Sequence, residues 1–108
     1  MKKIALITLL SILVAPSAFA ETKVFELVIK DHKFSPETLQ IPANEKVKLV
    51  IKNQDSSAEE FESNDFNREK VIAGNSEAVV FIDPLAAGEY KFFGEFNPKT
   101  AQGKLVVK

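Results

Sequence analysis

The chain has 108 residues, with 14 basic and 15 acidic side chains, a formal net charge of −1, one histidine and no cysteine. Near-balanced charge leaves no basic footprint for nucleic acid, and the missing thiol excludes disulfides, cysteine-anchored haem and thiolate metal sites. A single imidazole also leaves almost nothing from which to assemble a hydrolytic base and nucleophile.

Lys2 and Lys3 precede an apolar run over residues 4–15, and Ala18-Phe19-Ala20 closes it with small residues. That order is the pattern of a secretory signal peptide (1–20) cleaved after Ala20. The alternative is an uncleaved anchor. The run falls short of the about 20 apolar residues that cross a bilayer, however, and Pro16 interrupts it. Cleavage leaves residues 21–108 as a single domain whose 12 basic and 15 acidic residues give a charge of about −3. The periplasm is its expected location, or less directly the cell exterior.

From there the chain alternates apolar and polar residues in short runs, the mark of half-buried strands. Phe25, Leu27 and Ile29 share one strand face. Val47, Leu49 and Ile51 share another, whose outer side carries Lys46, Lys48 and Lys52. Between them Phe34-Ser35-Pro36 and Ile41-Pro42-Ala43-Asn44 read as turns around a short segment, 38–41. Residues 53–58 read as a polar loop, 59–64 as a strand, and 65–70 as a loop or one helical turn.

Gly74-Asn75 marks a turn before residues 77–82, which read as a buried strand ending at Asp83-Pro84. Ala87-Gly88 reverses the chain into residues 89–93, where Tyr90 and Phe92 share a face, and Gly103 opens a last strand over 104–107. Tyr90, Phe92, Phe81, Phe25 and Phe61 read as core, while Phe93 and Phe96 either close the sandwich mouth or form an exposed patch. Seven to eight short strands predict an all-β fold, a two-sheet antiparallel Greek-key sandwich; an immunoglobulin-like module fits the count equally well.

The stretch Gly88-Glu89-Tyr90-Lys91-Phe92-Phe93-Gly94-Glu95-Phe96-Asn97-Pro98, continuing to Gly103, resembles the end of a cupredoxin-like domain. In copper-binding members of that family the loop starts with cysteine and carries histidine three residues later, at the places of Gly94 and Asn97. Phe34-Ser35-Pro36, Ile41-Pro42-Ala43 and residues 47–53 resemble the family's opening. The first copper histidine would then fall at Glu59. The run Glu59-Glu60-Phe61-Glu62-Ser63 is similar to EfeO-type cupredoxin-like proteins, exported and associated with bacterial iron uptake, some of which read Gly-Glu-Phe-His-Pro where this chain has Gly94-Glu95-Phe96-Asn97-Pro98.

Without a thiolate and with only His32, a blue-copper centre is excluded. What the residues offer is oxygen chemistry. An extended 59–64 segment sends Glu60 and Glu62 to one face and Glu59, Phe61 and Ser63 to the other. The resemblance implies that Glu95 and Asn97 reach the same end of the sandwich, so that Glu60, Glu62 and Glu95 converge there, with Asn97 adding a neutral carbonyl and Glu59 nearby. Such a cluster suits iron, manganese or Cu(II). The competing account is a solvated strand face balanced by Lys91, Lys99 or Lys70. His32, between Asp31 and Lys33, is a surface-turn histidine or a second-site ligand. Asp65, Arg68 and Glu69 read as loop charges.

The resemblance therefore implies a periplasmic metal-binding accessory protein. Its cargo would be ferrous or ferric iron or Cu(II), and its partner an inner-membrane iron permease or another periplasmic iron-binding protein. A metal-free docking module is the alternative, and a copper-dependent iron oxidase component is a third reading.

Overall fold

Residues 21–108 are described by a computed structural model, and the segment 1–20, expected to be a signal peptide, lies outside them. Nine strands follow one another among the described residues: β1 (Lys23–Lys30), β2 (Lys33–Ser35), β3 (Thr38–Ile41), β4 (Val47–Asn53), β5 (Glu59–Ser63), β6 (Arg68–Ile72), β7 (Ser76–Ile82), β8 (Gly88–Gly94) and β9 (Gln102–Val107). No helix among these residues is long and apolar enough to cross a membrane.

The alternation read in β1 and β4 is what faces these strands inward. Leu27, Ile29, Val47, Leu49 and Ile51 are fully buried. The two strands lie side by side, with Phe25 opposite Leu49 and Leu27 opposite Ile51. One sheet runs β2-β1-β4-β7 and the other β3-β9-β8-β5-β6, a two-layer all-β sandwich. Most neighbours are antiparallel, but β1–β4 and β3–β9 are parallel. Both parallel pairs arise because β3 belongs to the second sheet: the chain crosses over and returns, so β4 enters from the same end as β1.

Three aromatic side chains join the layers. Phe34 of β2 meets Phe92 of β8 edge-on at a centroid distance of 5.1 Å and Phe61 of β5 at 6.1 Å, while Phe61 and Phe92 lie 5.2 Å apart. Each such pair contributes about 0.5–1.5 kcal/mol beyond the apolar area it buries.

Several local expectations change. Lys33–Ser35 is a strand rather than only a turn. The segment expected as a loop or helical turn instead makes a hairpin: residues 64–67 reverse the chain and Arg68–Ile72 pairs with β5 along its length. The reversal is built by Ser63, whose Oγ accepts the Phe66 N–H at 3.2 Å, and by Asn67 in the left-handed region at φ 52°. Phe66 then tucks against Phe61.

Phe81, expected in the core, is 46% exposed. Its neighbours Val80 and Ile82 take the inward positions of β7, an edge strand, so the alternation turns Phe81 outward. There its ring lies under Lys46, with Nζ 5.2 Å from the centroid. The β7 segment is thus half buried rather than buried.

Candidate functional site

Strand β5 alternates strictly, with Glu59, Phe61 and Ser63 buried and Glu60 and Glu62 partly exposed. The outward pair is flanked on both sides. On β8, Gly94 lies opposite Phe61, and the next residue along, Glu95, donates its N–H to the Glu60 carbonyl at 2.9 Å. On β6, Glu69 lies opposite Glu62. Carboxylate oxygens of Glu60, Glu62 and Glu69 all fall within 4.8 Å of one another. The trio brought together is thus Glu60, Glu62 and Glu69, on the outer face of the five-stranded sheet, with Glu95 beside it close enough to act on Glu60 and Glu62 through its charge.

Crowding of like charges shows in the protonation of the group. The Glu60 carboxyl is pushed above its usual range, first by hydrogen bonding with Glu69, then by desolvation and the charges of Glu69, Glu62 and Glu95. Glu62 is raised as well, first by desolvation, then by hydrogen bonding with Glu95 and the charges of Glu95 and Glu69. Balancing lysines were the competing expectation. Among the described residues, the ion pairs are Lys23–Glu45, His32–Asp55, Lys52–Glu26, Arg68–Asp83 and Lys104–Glu89, and none includes the four glutamates. The patch is an uncompensated set of oxygen donors.

Glu69, expected as a loop charge, stands on β6. The signal that finds it is the turn chemistry of Asn64, Asp65 and Asn67 between two runs of equal length, a hairpin pattern that puts residue 69 across from residue 62. Arg68 is likewise a strand residue. Its guanidinium reaches Asp83 Oδ2 at 2.9 Å and donates to the Phe81 carbonyl at 2.8 Å.

Glu59 and Asn97 form a separate, inward arrangement. Glu59 is 2% exposed. Its Oε1 accepts the N–H groups of Glu60 at 3.0 Å and Phe96 at 2.8 Å, and its Oε2 accepts from Asn97 Nδ2 at 2.7 Å. Asn97 thus turns its amide nitrogen to Glu59 instead of lending a carbonyl to the outer glutamates. Gly94 closes the same space: a Cβ there would lie 2.7 Å from Glu59 Cδ and 2.7 Å from the Ala101 Cβ.

These are the three positions that correspond, in the family resemblance, to the copper histidine, cysteine and second histidine. They do not fit copper. No thiolate or imidazole is present, the groups aimed inward are N–H donors where a cation needs lone pairs, and the Glu59 carboxyl fills the space.

His32 does not join the glutamates. Asp31 and His32 adopt left-handed conformations in the β1–β2 turn, at φ 52° and 57°. Their N–H groups donate to Asp55 Oδ1 at 2.8 Å and Oδ2 at 3.0 Å, and His32 Nδ1 lies 3.6 Å from Oδ2. Asp55 is held below the usual carboxylate range, mainly by the His32 N–H, aided by the Asp31 N–H and the nearby positive charges and opposed by desolvation. His32 serves turn geometry.

Residues 3–107 match the sequence model of a family described as "Cupredoxin-like domain". An uncharacterized protein of Rickettsia prowazekii (strain Madrid E) is 42% identical over 82 residues, which cover 76% of this chain and 66% of that protein, just under two thirds of its length. Among solved structures, auracyanin A, a blue copper protein from Chloroflexus aurantiacus, is similar with a TM-score of 0.70 and 17% identity, covering 82% of this chain and 100% of that one. The metal-binding domain of the Cu(I)-exporting P-type ATPase CopA of Streptococcus pneumoniae has a TM-score of 0.67 and 14% identity, over 83% and 91% of the two chains. Amicyanin from Paracoccus versutus has a TM-score of 0.61 and 18% identity, over 85% and 86%. At such identities the solved structures show the fold alone.

Proposed function

This chain belongs to the cupredoxin-like domain family, and we propose that it is a periplasmic metal-binding accessory protein that carries a hard cation on its outer sheet face instead of copper at the end of the sandwich. The observation that supports this is the meeting of Glu60, Glu62 and Glu69, with Glu95 beside them, where no basic side chain among the described residues forms an ion pair with any of the four.

An all-oxygen donor set favours Fe²⁺, Fe³⁺, Mn²⁺ or Cu²⁺ over soft Cu(I). A cation also neutralises the like charges that, after hydrogen bonding and desolvation, help to raise Glu60 and Glu62. Delivery of iron to an inner-membrane permease, or exchange with another periplasmic iron-binding protein, is the physiological setting this chemistry suits, and it agrees with the resemblance of residues 94–98 to iron-uptake proteins.

The test is equilibrium binding of Mn²⁺, anaerobic Fe²⁺ and Cu²⁺ to residues 21–108, beside the variant Glu60→Gln/Glu62→Gln. Saturable binding at about micromolar concentrations that the variant loses supports the reading. Its absence for every ion removes it. A docking role has one observation in its favour, the 52% exposure of Phe96 next to Glu95. A periplasmic partner that is retained in chelator and lost on Phe96→Ala would favour that reading.

A further inference from the structure

The buried cluster around Glu59 is chemically opposite to the outer patch. Three N–H donors converge on one carboxyl group: the backbone of Glu60 on the same strand, the backbone of Phe96, 37 positions away, and the side chain of Asn97, 38 positions away. Two of the three come from the loop over residues 95–101. That loop closes on itself through Gly94 N–H to Ala101 carbonyl at 2.8 Å and Ala101 N–H to Asn97 carbonyl at 2.9 Å. Glu59 is the side chain that fastens the closed loop to β5.

We infer that the Glu59 carboxyl is an internal replacement for a bound metal: it ties β5 to the 95–101 loop, so this end of the sandwich is ordered without a metal and closed to one.

Polarity, space and satisfaction agree. A cation bound there would meet N–H groups, which repel it, where a ligand set must present lone pairs. Gly94 is a condition of the arrangement, because any Cβ at that position collides with both Glu59 and Ala101. No buried side-chain nitrogen or oxygen among the described residues lacks a hydrogen-bond partner, so none is left waiting for an ion. The inference is independent of cation binding on the outer face, since Glu59 points to the opposite side of β5 from Glu60 and Glu62.

Amide hydrogen exchange at Phe96 tests the fastening. In chelator-treated protein the Phe96 N–H is expected to stay protected. Glu59→Ala is expected to lower its protection about tenfold or more while Leu49, in the other sheet, is unchanged. Should that variant fail to fold, Asn97→Ala, which removes one donor of the three, is expected to lower the same protection by a smaller factor. Chelator-sensitive protection, or protection indifferent to both substitutions, overturns the inference.

Closure is tested separately in Glu60→Gln/Glu62→Gln/Glu69→Gln/Glu95→Gln, which lacks the outer patch. Zn²⁺ and Cu(I) are expected to leave the Phe96 and Asn97 amide resonances in place, and a saturable shift of either overturns the inference whatever the outer patch does.

Discussion

Glu95 and Glu60 are cross-strand neighbours across the end of β8: the Glu95 N–H donates to the Glu60 carbonyl at 2.9 Å, which sets both side chains on the outer sheet face. From that one backbone bond follows an acidic surface that acts on stability as well as on binding.

Raised carboxyls make the patch an internal cost at neutral pH. A group whose folded-state pKa lies above its unfolded value stabilises the fold while protonated, and that contribution is lost as pH rises through the folded pKa. For Glu60 and Glu62 the shift is upward. Urea midpoints of Glu60→Gln/Glu62→Gln are therefore expected to exceed wild type at pH 7, and the difference to vanish as pH falls to about 4. Equal midpoints across the range would remove the repulsion from the argument.

Asp55 works in the other direction. Its folded pKa is depressed by the N–H groups it receives from His32 and Asp31, so its contribution is present above the unfolded value and is lost as pH falls through the lower folded one. Asp55→Asn is expected to destabilise the domain at pH 7 and to flatten its acid-unfolding limb. Far-ultraviolet circular dichroism against pH, wild type beside variant, measures both effects.

Glu69 was invisible as a ligand in the sequence, and binding can weigh it. In Mn²⁺ titrations Glu69→Gln is expected to weaken binding about tenfold, as Glu60→Gln does, because each removes one charged donor from the same trio. Affinity is also expected to fall between pH 7 and about 5, where protons compete for the raised carboxyls. A Glu69→Gln variant that binds like wild type would restrict the site to β5 and β8.

Ser63 offers a check on the hairpin. Its buried hydroxyl donates to the Lys91 carbonyl at 2.7 Å and accepts the Phe66 N–H at 3.2 Å, linking β5, β8 and the 64–67 turn. Ser63→Ala is expected to cost about 1–3 kcal/mol in urea denaturation, the penalty for stranding buried backbone groups.

Phe61 offers the corresponding check on the core. It is fully buried among Phe34, Phe66 and Phe92. Phe61→Ala is expected to cost about 3–5 kcal/mol, a large part of the stability of a domain this small, and thermal unfolding should show it directly.

Period-two alternation carried β1 and β4 because Phe25, Leu27, Ile29, Val47, Leu49 and Ile51 recur as apolar residues at every second position, and β5 because the single aromatic Phe61 fixes which face turns in. It misled at β7, where Val79, Val80, Phe81 and Ile82 are apolar in succession and cannot say which pair faces in. It was silent at β6, a polar edge strand with one buried residue, Ile72. The parallel pairs were beyond reach too, since register between β3 and β9 depends on where the chain crosses between layers. In the candidate site, the outward facing of Glu60 and Glu62 was legible. Burial of Glu59 was legible as a facing, but not as an acceptor of three N–H donors, because two of them come from 37 and 38 positions away.

The packed Phe61 ring beneath Glu60 and Glu62 leaves those two side chains a fixed floor. The stems of Glu62 and Glu69, and of Glu60 and Glu95, then start one strand spacing apart, about 4.8 Å, with Glu60–Glu69 and Glu62–Glu95 as the longer diagonals. Backbone pitch therefore sets where the four carboxyl stems begin, so like charge is gathered by the hydrogen-bonded repeat itself and not by any contact the side chains make with one another.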